Sequence, residues 1–264
     1  MYIYLRGLLR KVFAFFNLGL DKNKDLVNLH QVFIDYTCIL NKLNFYLFFA
    51  RKLLEKDNVD VNSYENFLVE SKSQNGQDLF ALISTDFKKN GVFIEFGAYD
   101  GVTFSNTYLL EKHFGWKGVL IDPIPAHFES MNHNRECTTI HGAITPEKHK
   151  SILIEELPAS DLSRFVNKYK LFKKVHKVKA LTLKEVIDQN LSTSEIDFLS
   201  IDVEGNDYDI LKSIDLNQYK FKTICVEHNF REGSSELINY MANYGYEIVY
   251  REFSKNDYWF ILQK

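Results

Sequence analysis

Four short apolar runs in this chain end in acidic residues, and their placement decides what chemistry the chain could do. Val92–Phe96 carries Glu95 and leads into the loop Gly97-Ala98-Tyr99-Asp100-Gly101. Gly118–Ile121 is followed by Asp122-Pro123, Phe198–Asp202 by Val203-Glu204-Gly205, and Thr223–Glu227 by His228-Asn229. If these runs are strands of a doubly wound sheet, a ligand lies beyond their carboxyl ends where the strand order reverses, so the polar residues directly after them are the ones that matter.

The glycine loop excludes two nucleotide classes. A dinucleotide site needs GxGxxG so that backbone can approach a pyrophosphate, but Tyr99 stands two positions after Gly97. No GxxxxGK[ST] phosphate loop occurs anywhere in the chain. A ligand without phosphate is therefore expected. Glu95, Gly97 and Gly101 satisfy acid-x-Gly-x-x-x-Gly, and Asp122 adds an acid at the next strand end. This pair suits S-adenosylmethionine: the glycines admit the amino-acid part close to backbone, an acid anchors its amino group through the loop, and Asp122 accepts from the ribose hydroxyls. Glu95 alone would read as a structural cap; the combination with Asp122 points to the methyl donor.

Methyl transfer from a sulfonium is an in-line displacement, and a hydroxyl acceptor must also lose its proton. Asp202, Glu204, Glu227 and His228 are the close-spaced acid and imidazole groups at central strand ends. Asp202 or His228 could take the proton directly, the version preferred here, with Glu204 beside them. Alternatively Asp202, Glu227 and His228 or Asn229 could hold Mg²⁺ against the acceptor oxygen. Glu204-Gly205-Asn206 also fits a plain tight turn with a capping acid. The other histidines, His127 among them, are scattered without ligand spacing and read as surface, loop or satisfied core residues.

Four segments in order, SQNGQD from Ser73, FIEFGAYDGVTFSNTYLLEKHFGWKGVLIDPIP, DFLSIDVEGNDYDIL and ICVEHN, resemble the FkbM-type S-adenosylmethionine-dependent methyltransferases. The resemblance spans roughly residues 73–262. It implies a class I methyltransferase fold and, for many members, O-methylation of sugars or other hydroxyls in glycan and natural-product pathways. By position it makes Gln74, Gln77 and Asp78 cover the cofactor and has Ser105, Asn106 and Thr107 open the following helix, where Asn106-Thr107 fits a ligand contact or a helix cap equally well. Ala98, Tyr99, Pro123 and the Ala143 segment complete the expected cofactor set, with Ser160-Asp161 bordering the same pocket. Two departures stand out: Asp122 replaces the Glu often found before Pro, and Tyr99 replaces a smaller residue.

The elements that must position these groups follow from pattern. Strand candidates after the four named are Thr138–Gly142, Ser151–Glu155, Lys177–Ala180, Tyr246–Arg251 and Tyr258–Leu262. Helix candidates are Thr107–Phe114, Ala126–Asn134, Leu183–Asn190, Tyr208–Ser213 and Ser235–Tyr244. Apolar strands separated by helices imply an α/β, doubly wound, mostly parallel sheet of Rossmann type, with an antiparallel C-terminal hairpin at its edge. Residues 1–72 differ: Leu5, Leu8, Leu9, Val12, Phe13 and Phe16 form a helical stripe beside Arg6, Arg10 and Lys11, and a second helical stretch, Leu29–Leu54, is too apolar to stand alone. The expected organisation is a helical N-terminal extension, 1–72, and a cofactor-binding domain, 73–264.

The chain has 264 residues, 25% of them charged and 45% hydrophobic, which fits a globular protein able to bury a core. A formal charge of −3 gives no nucleic-acid footprint. The basic stripe of residues 1–20 docks on the chain's own core or a second subunit, making a homodimer plausible, or rests on an anionic membrane surface. The run Lys168–Lys179 could receive an anionic acceptor. Three separated cysteines, Cys38, Cys137 and Cys225, without metal spacing, and no long uncharged apolar run, favour a cytoplasmic setting, with attachment to the inner membrane face as the variant. Against O-methylation stand two alternatives: N-methylation of an amine headgroup, and a methyltransferase-like module that binds without catalysis.

Overall fold

A computed structural model describes residues 45–49, 51–52, 70–156, 174–203, 206–228, 234–254 and 256–263. All belong to the second of two compact units, Lys42–Lys264; the first, Met1–Asn41, lies outside the described residues. The basic stripe of residues 1–20, Ser160-Asp161, Glu204, Gly205 and Asn229 therefore also lie outside them.

Seven strands form the main sheet: β1 (Val92–Phe96), β2 (Lys117–Asp122), β3 (Thr138–His141), β7 (Glu195–Ile201), β8 (Lys220–Glu227), β9 (Tyr246–Val249) and β10 (Asp257–Leu262). Their order is β3-β2-β1-β7-β8-β10-β9, parallel throughout except for β10, which runs antiparallel to both neighbours. The order reverses between β1 and β7, and register then aligns the ends. Phe96 sits opposite Ile121 on one side and Ile201 on the other, so Gly97, Asp122 and Asp202 follow at one level.

Strand residues alternate between two cores, as the two-residue side-chain period requires. Ile94, Phe96, Val119, Ile121, Leu199 and Ile201 enter one; Phe93, Leu120, Phe198, Cys225 and Trp259 enter the other. Both faces are covered, which explains why these strands read as apolar runs rather than alternating ones. Helices α2 (Tyr108–Phe114), α3 (Pro125–Asn134), α4 (Leu183–Asn190), α5 (Asp207–Lys212) and α6 (Ser234–Asn243) fall within a residue of the sequence expectation. Phe45 and Phe49, from the stretch too apolar to stand alone, are buried in the second core, with Phe45 5.3 Å from Trp259 between ring centroids.

Three features depart from the pattern. Helix α1 (Gln77–Ser84) was not anticipated; its Leu79, Phe80 and Leu82 are fully buried, with Phe80 stacked on Trp259 at 4.8 Å. The expected antiparallel pair β9–β10 does form the sheet edge, but a short helix α7 (Arg251–Ser254) lies in its connection and β10 rather than β9 pairs with β8. Strands β4 (Ala143–Ile144), β5 (Ser151–Glu156) and β6 (Lys174–Leu181) form a separate three-stranded sheet, in which β5 and β6 pair antiparallel. Two residues are too few for β4 to show a period in sequence. Among the described residues no helix is long and apolar enough to cross a membrane.

Candidate functional site

Glu95 lies on the strand face shared with Phe93 and is only 2% exposed. Its Oε1 accepts from the Asn106 backbone N–H at 2.7 Å, and its Oε2 from the Ser105 hydroxyl at 3.0 Å and the Thr107 hydroxyl. Arg135, just past α3 and fully buried, completes the cluster by donating to Gly101 O (2.8 Å), Ser105 Oγ (3.1 Å) and Thr107 Oγ1 (3.1 Å) and pairing with Glu111 at 3.1 Å. Burial pushes the Glu95 carboxyl above its usual range, opposed by Arg135 and by the three hydrogen bonds. A buried acid sustained by so many donors fixes the shape of the glycine loop and the entry to α2. Arg135 escaped the sequence reading because nothing around it locally marks a buried guanidinium.

The loop itself is tightly constrained. Gly97 has φ +73 and a Cβ there would lie 2.0 Å from the Asp202 backbone oxygen, so only glycine permits the ends of β1 and β7 to approach this closely. Gly101 has φ +79 and packs against Arg135. Ala98 is buried, whereas Tyr99 is exposed with φ +50.

Asp122, 4% exposed, closes β2. Its Oδ2 accepts from the Tyr99 N–H at 2.9 Å, while its Oδ1 accepts from the Ile124 N–H at 2.9 Å and lies 3.1 Å from His127 Nδ1. Pro123, half-buried, gives its carbonyl to His141 Nε2 at 3.0 Å. Asn106 spans the gap to β7, its Nδ2 donating to Ser200 Oγ at 2.9 Å, and its Oδ1 is buried without a hydrogen-bond partner. A buried carbonyl of this kind is an acceptor position for a ligand donor. Asp202 is exposed at the tip of β7.

The other expected site residues have contacts of their own. Gln74 is exposed. Gln77 is buried and donates from Nε2 to Asp257 Oδ2 at 2.7 Å, and Asp78 accepts from Ser71 (2.9 Å) and Ser73 (2.6 Å). Ala143 is buried in β4, paired with Ala180. His228 is buried, its ring stacked 4.2 Å from Tyr258 and its backbone N–H donating to Asn256 O at 2.7 Å. Among the described residues no group of three or more His, Cys, Asp or Glu side chains converges as a cation site, so Asp202, Glu227 and His228 do not assemble into the Mg²⁺ site considered from sequence. The His228 imidazole stacks on Tyr258 of β10.

A seven-stranded sheet in this order, with β10 antiparallel and acids closing β1 and β2 at the reversal point, defines the class I methyltransferase architecture. A model of the methyltransferase FkbM domain matches residues 95–248, more than half of the chain. The chain belongs to the FkbM methyltransferase family and is an S-adenosylmethionine-dependent methyltransferase. No curated protein matches its sequence significantly. Among solved structures, the SAH-bound Podospora anserina methyltransferase is similar at 11% identity and TM-score 0.42, over 94% of this chain and 100% of that one. A precorrin-6y C5,15-methyltransferase from Geobacter metallireducens aligns at 10% identity and TM-score 0.40, over 70% and 84% of the two chains. A TehB-like S-adenosylmethionine-dependent methyltransferase from Corynebacterium glutamicum aligns at 10% identity and TM-score 0.39, over 77% and 96%.

Proposed function

We propose that this protein transfers a methyl group from S-adenosylmethionine to a hydroxyl of a sugar, a glycan or a small molecule of glycan assembly. The observation that carries the reading is the position of Asp202: an exposed acid at the tip of the central strand whose backbone oxygen abuts Gly97 of the donor loop. A hydroxyl must lose its proton as the O–CH₃ bond forms, and a solvated carboxylate beside the donor can take it. A neutral amine presents its lone pair without that help, so an acid here favours an oxygen acceptor.

The residues fit the cofactor. Gly97 and Gly101 admit it close to backbone, the orphaned Asn106 Oδ1 can accept from its ammonium group, and Asp122 can accept from its ribose. When bound, the cofactor supplies an electrophilic methyl carbon on a sulfonium. Glu95 acts through Ser105, Asn106 and Thr107, holding the loop rather than meeting the ligand. Exposed Lys174, Lys177 and Lys179 on β6 favour an anionic acceptor such as a phosphorylated or nucleotide-linked sugar. The sugar class itself rests on the FkbM resemblance.

Labelled S-adenosylmethionine offered with neutral sugars, sugar phosphates, nucleotide sugars and amine controls tests this directly. Asp202→Asn is expected to lower kcat by about 100- to 10,000-fold while leaving S-adenosylhomocysteine affinity intact. Unchanged turnover in Asp202→Asn would remove the proposed base, and unchanged turnover in His228→Ala would remove the alternative. Transfer to amines alone would replace the reading with N-methylation.

A further inference from the structure

Three elements meet at Asp122. The loop after β1 brings Tyr99, the end of β2 brings the carboxylate, and the first turn of α3 brings His127, whose side chain is 27% exposed against 6% for Asp122. A carboxylate offers about four acceptor positions. Three are taken: Tyr99 N–H on Oδ2, and Ile124 N–H and His127 Nδ1 on Oδ1. A ribose diol brings two hydroxyl donors, so Asp122 has room for one of them, on Oδ2.

The second acceptor is at hand. An ionised carboxylate only accepts, so Nδ1 of His127 carries a proton, and in the neutral form of the ring Nε2 keeps its lone pair. Tyr99 packs edge-on against that ring at 4.2 Å and 65°, which fixes its orientation. Tyr99 does so with φ +50, a conformation costly for an aromatic residue and maintained here while its N–H serves Asp122.

We propose that His127 is a further cofactor-binding residue: Asp122 Oδ2 accepts one ribose hydroxyl and His127 Nε2 accepts the other, with Tyr99 holding the imidazole in place. This rests on the cofactor reading above and names a residue outside the acid-and-glycine pattern.

Calorimetry with S-adenosylhomocysteine and its 2′-deoxy and 3′-deoxy analogues tests it, with melting temperature as the control for folding. His127→Ala is expected to bind S-adenosylhomocysteine about tenfold more weakly than the unaltered protein. That loss should vanish with one of the two deoxy analogues, the one lacking the hydroxyl that His127 accepts. His127→Asn, which keeps a donor and an acceptor, should recover most of the affinity and also serves if the alanine variant does not fold. Affinity within twofold of wild type in a folded His127→Ala overturns the proposal. So does an equal loss on both deoxy analogues, the mark of a purely structural role. Absence of S-adenosylhomocysteine binding by the unaltered, folded protein would instead remove the cofactor reading itself, and this inference with it.

Discussion

Glu95 and Asp122 sit two residues from alignment at the ends of neighbouring parallel strands, and both are buried, yet their surroundings differ. Glu95 receives three donors from residues 105–107 beside the guanidinium of Arg135, and its carboxylate serves the loop. Asp122 also accepts three hydrogen bonds, but from two backbone N–H groups and the half-buried His127, beside the exposed Tyr99 and with acceptor capacity left on Oδ2. Burial and strand position therefore do not separate architecture from recognition. What surrounds each carboxylate does: buried hydroxyls and the Arg135 guanidinium at Glu95, partly exposed groups at Asp122.

The largest test of the contrast is Glu95→Ala. It leaves Arg135 with only Glu111 as its acid and strips three donors of their acceptor, so denaturant unfolding should show a loss of about 4 kcal/mol. A loss below about 1 kcal/mol would place Glu95 on the ligand side instead.

A second buried acid sharpens the point through pH. Burial raises the Asp257 carboxyl to about 6 from its ordinary 3.8, with the Gln77 amide and Trp259 opposing and Asp207 adding. Because the native state holds this proton more tightly than the unfolded chain, the group's penalty is absent below pH 4 and develops as pH rises to 6. It is then worth about 3 kcal/mol. Asp257→Asn should be more stable than wild type at pH 7 and indistinguishable at pH 4 by urea titration. Glu95, also raised, slopes stability the same way and remains in the variant.

The smallest effect on the fold belongs to Asp122→Asn, which should cost about 1 kcal/mol of stability, because the amide cannot accept from both Tyr99 and Ile124 as a carboxylate does. Its effect on S-adenosylhomocysteine binding should be larger, about 2 kcal/mol or thirtyfold. The inverse ranking, stability lost and binding kept, would merge Asp122 with Glu95.

The sheet was legible because its strands are short apolar runs punctuated by acids, and the glycine loop because Gly97 and Gly101 sit where backbone must pass close to Asp202 and Arg135. What escaped was long-range. Arg135 reaches Glu95's partners from the far end of α3, with no neighbour in sequence to announce it. Gln77 meets Asp257 across 180 residues. His127 could have been found: it lies five residues after Asp122, with Pro125 opening the helix between them, so the first turn swings its ring back to the strand end.

The central claim is that the strand ends and loop around Gly97, Asp122 and Asn106 hold S-adenosylmethionine. Calorimetric titration of the full chain with S-adenosylhomocysteine tests it most directly. The account predicts saturable one-to-one binding that weakens in Asp122→Asn while the melting transition stays close to wild type. A folded wild-type protein that releases no heat and shows no thermal stabilisation at millimolar ligand would contradict it.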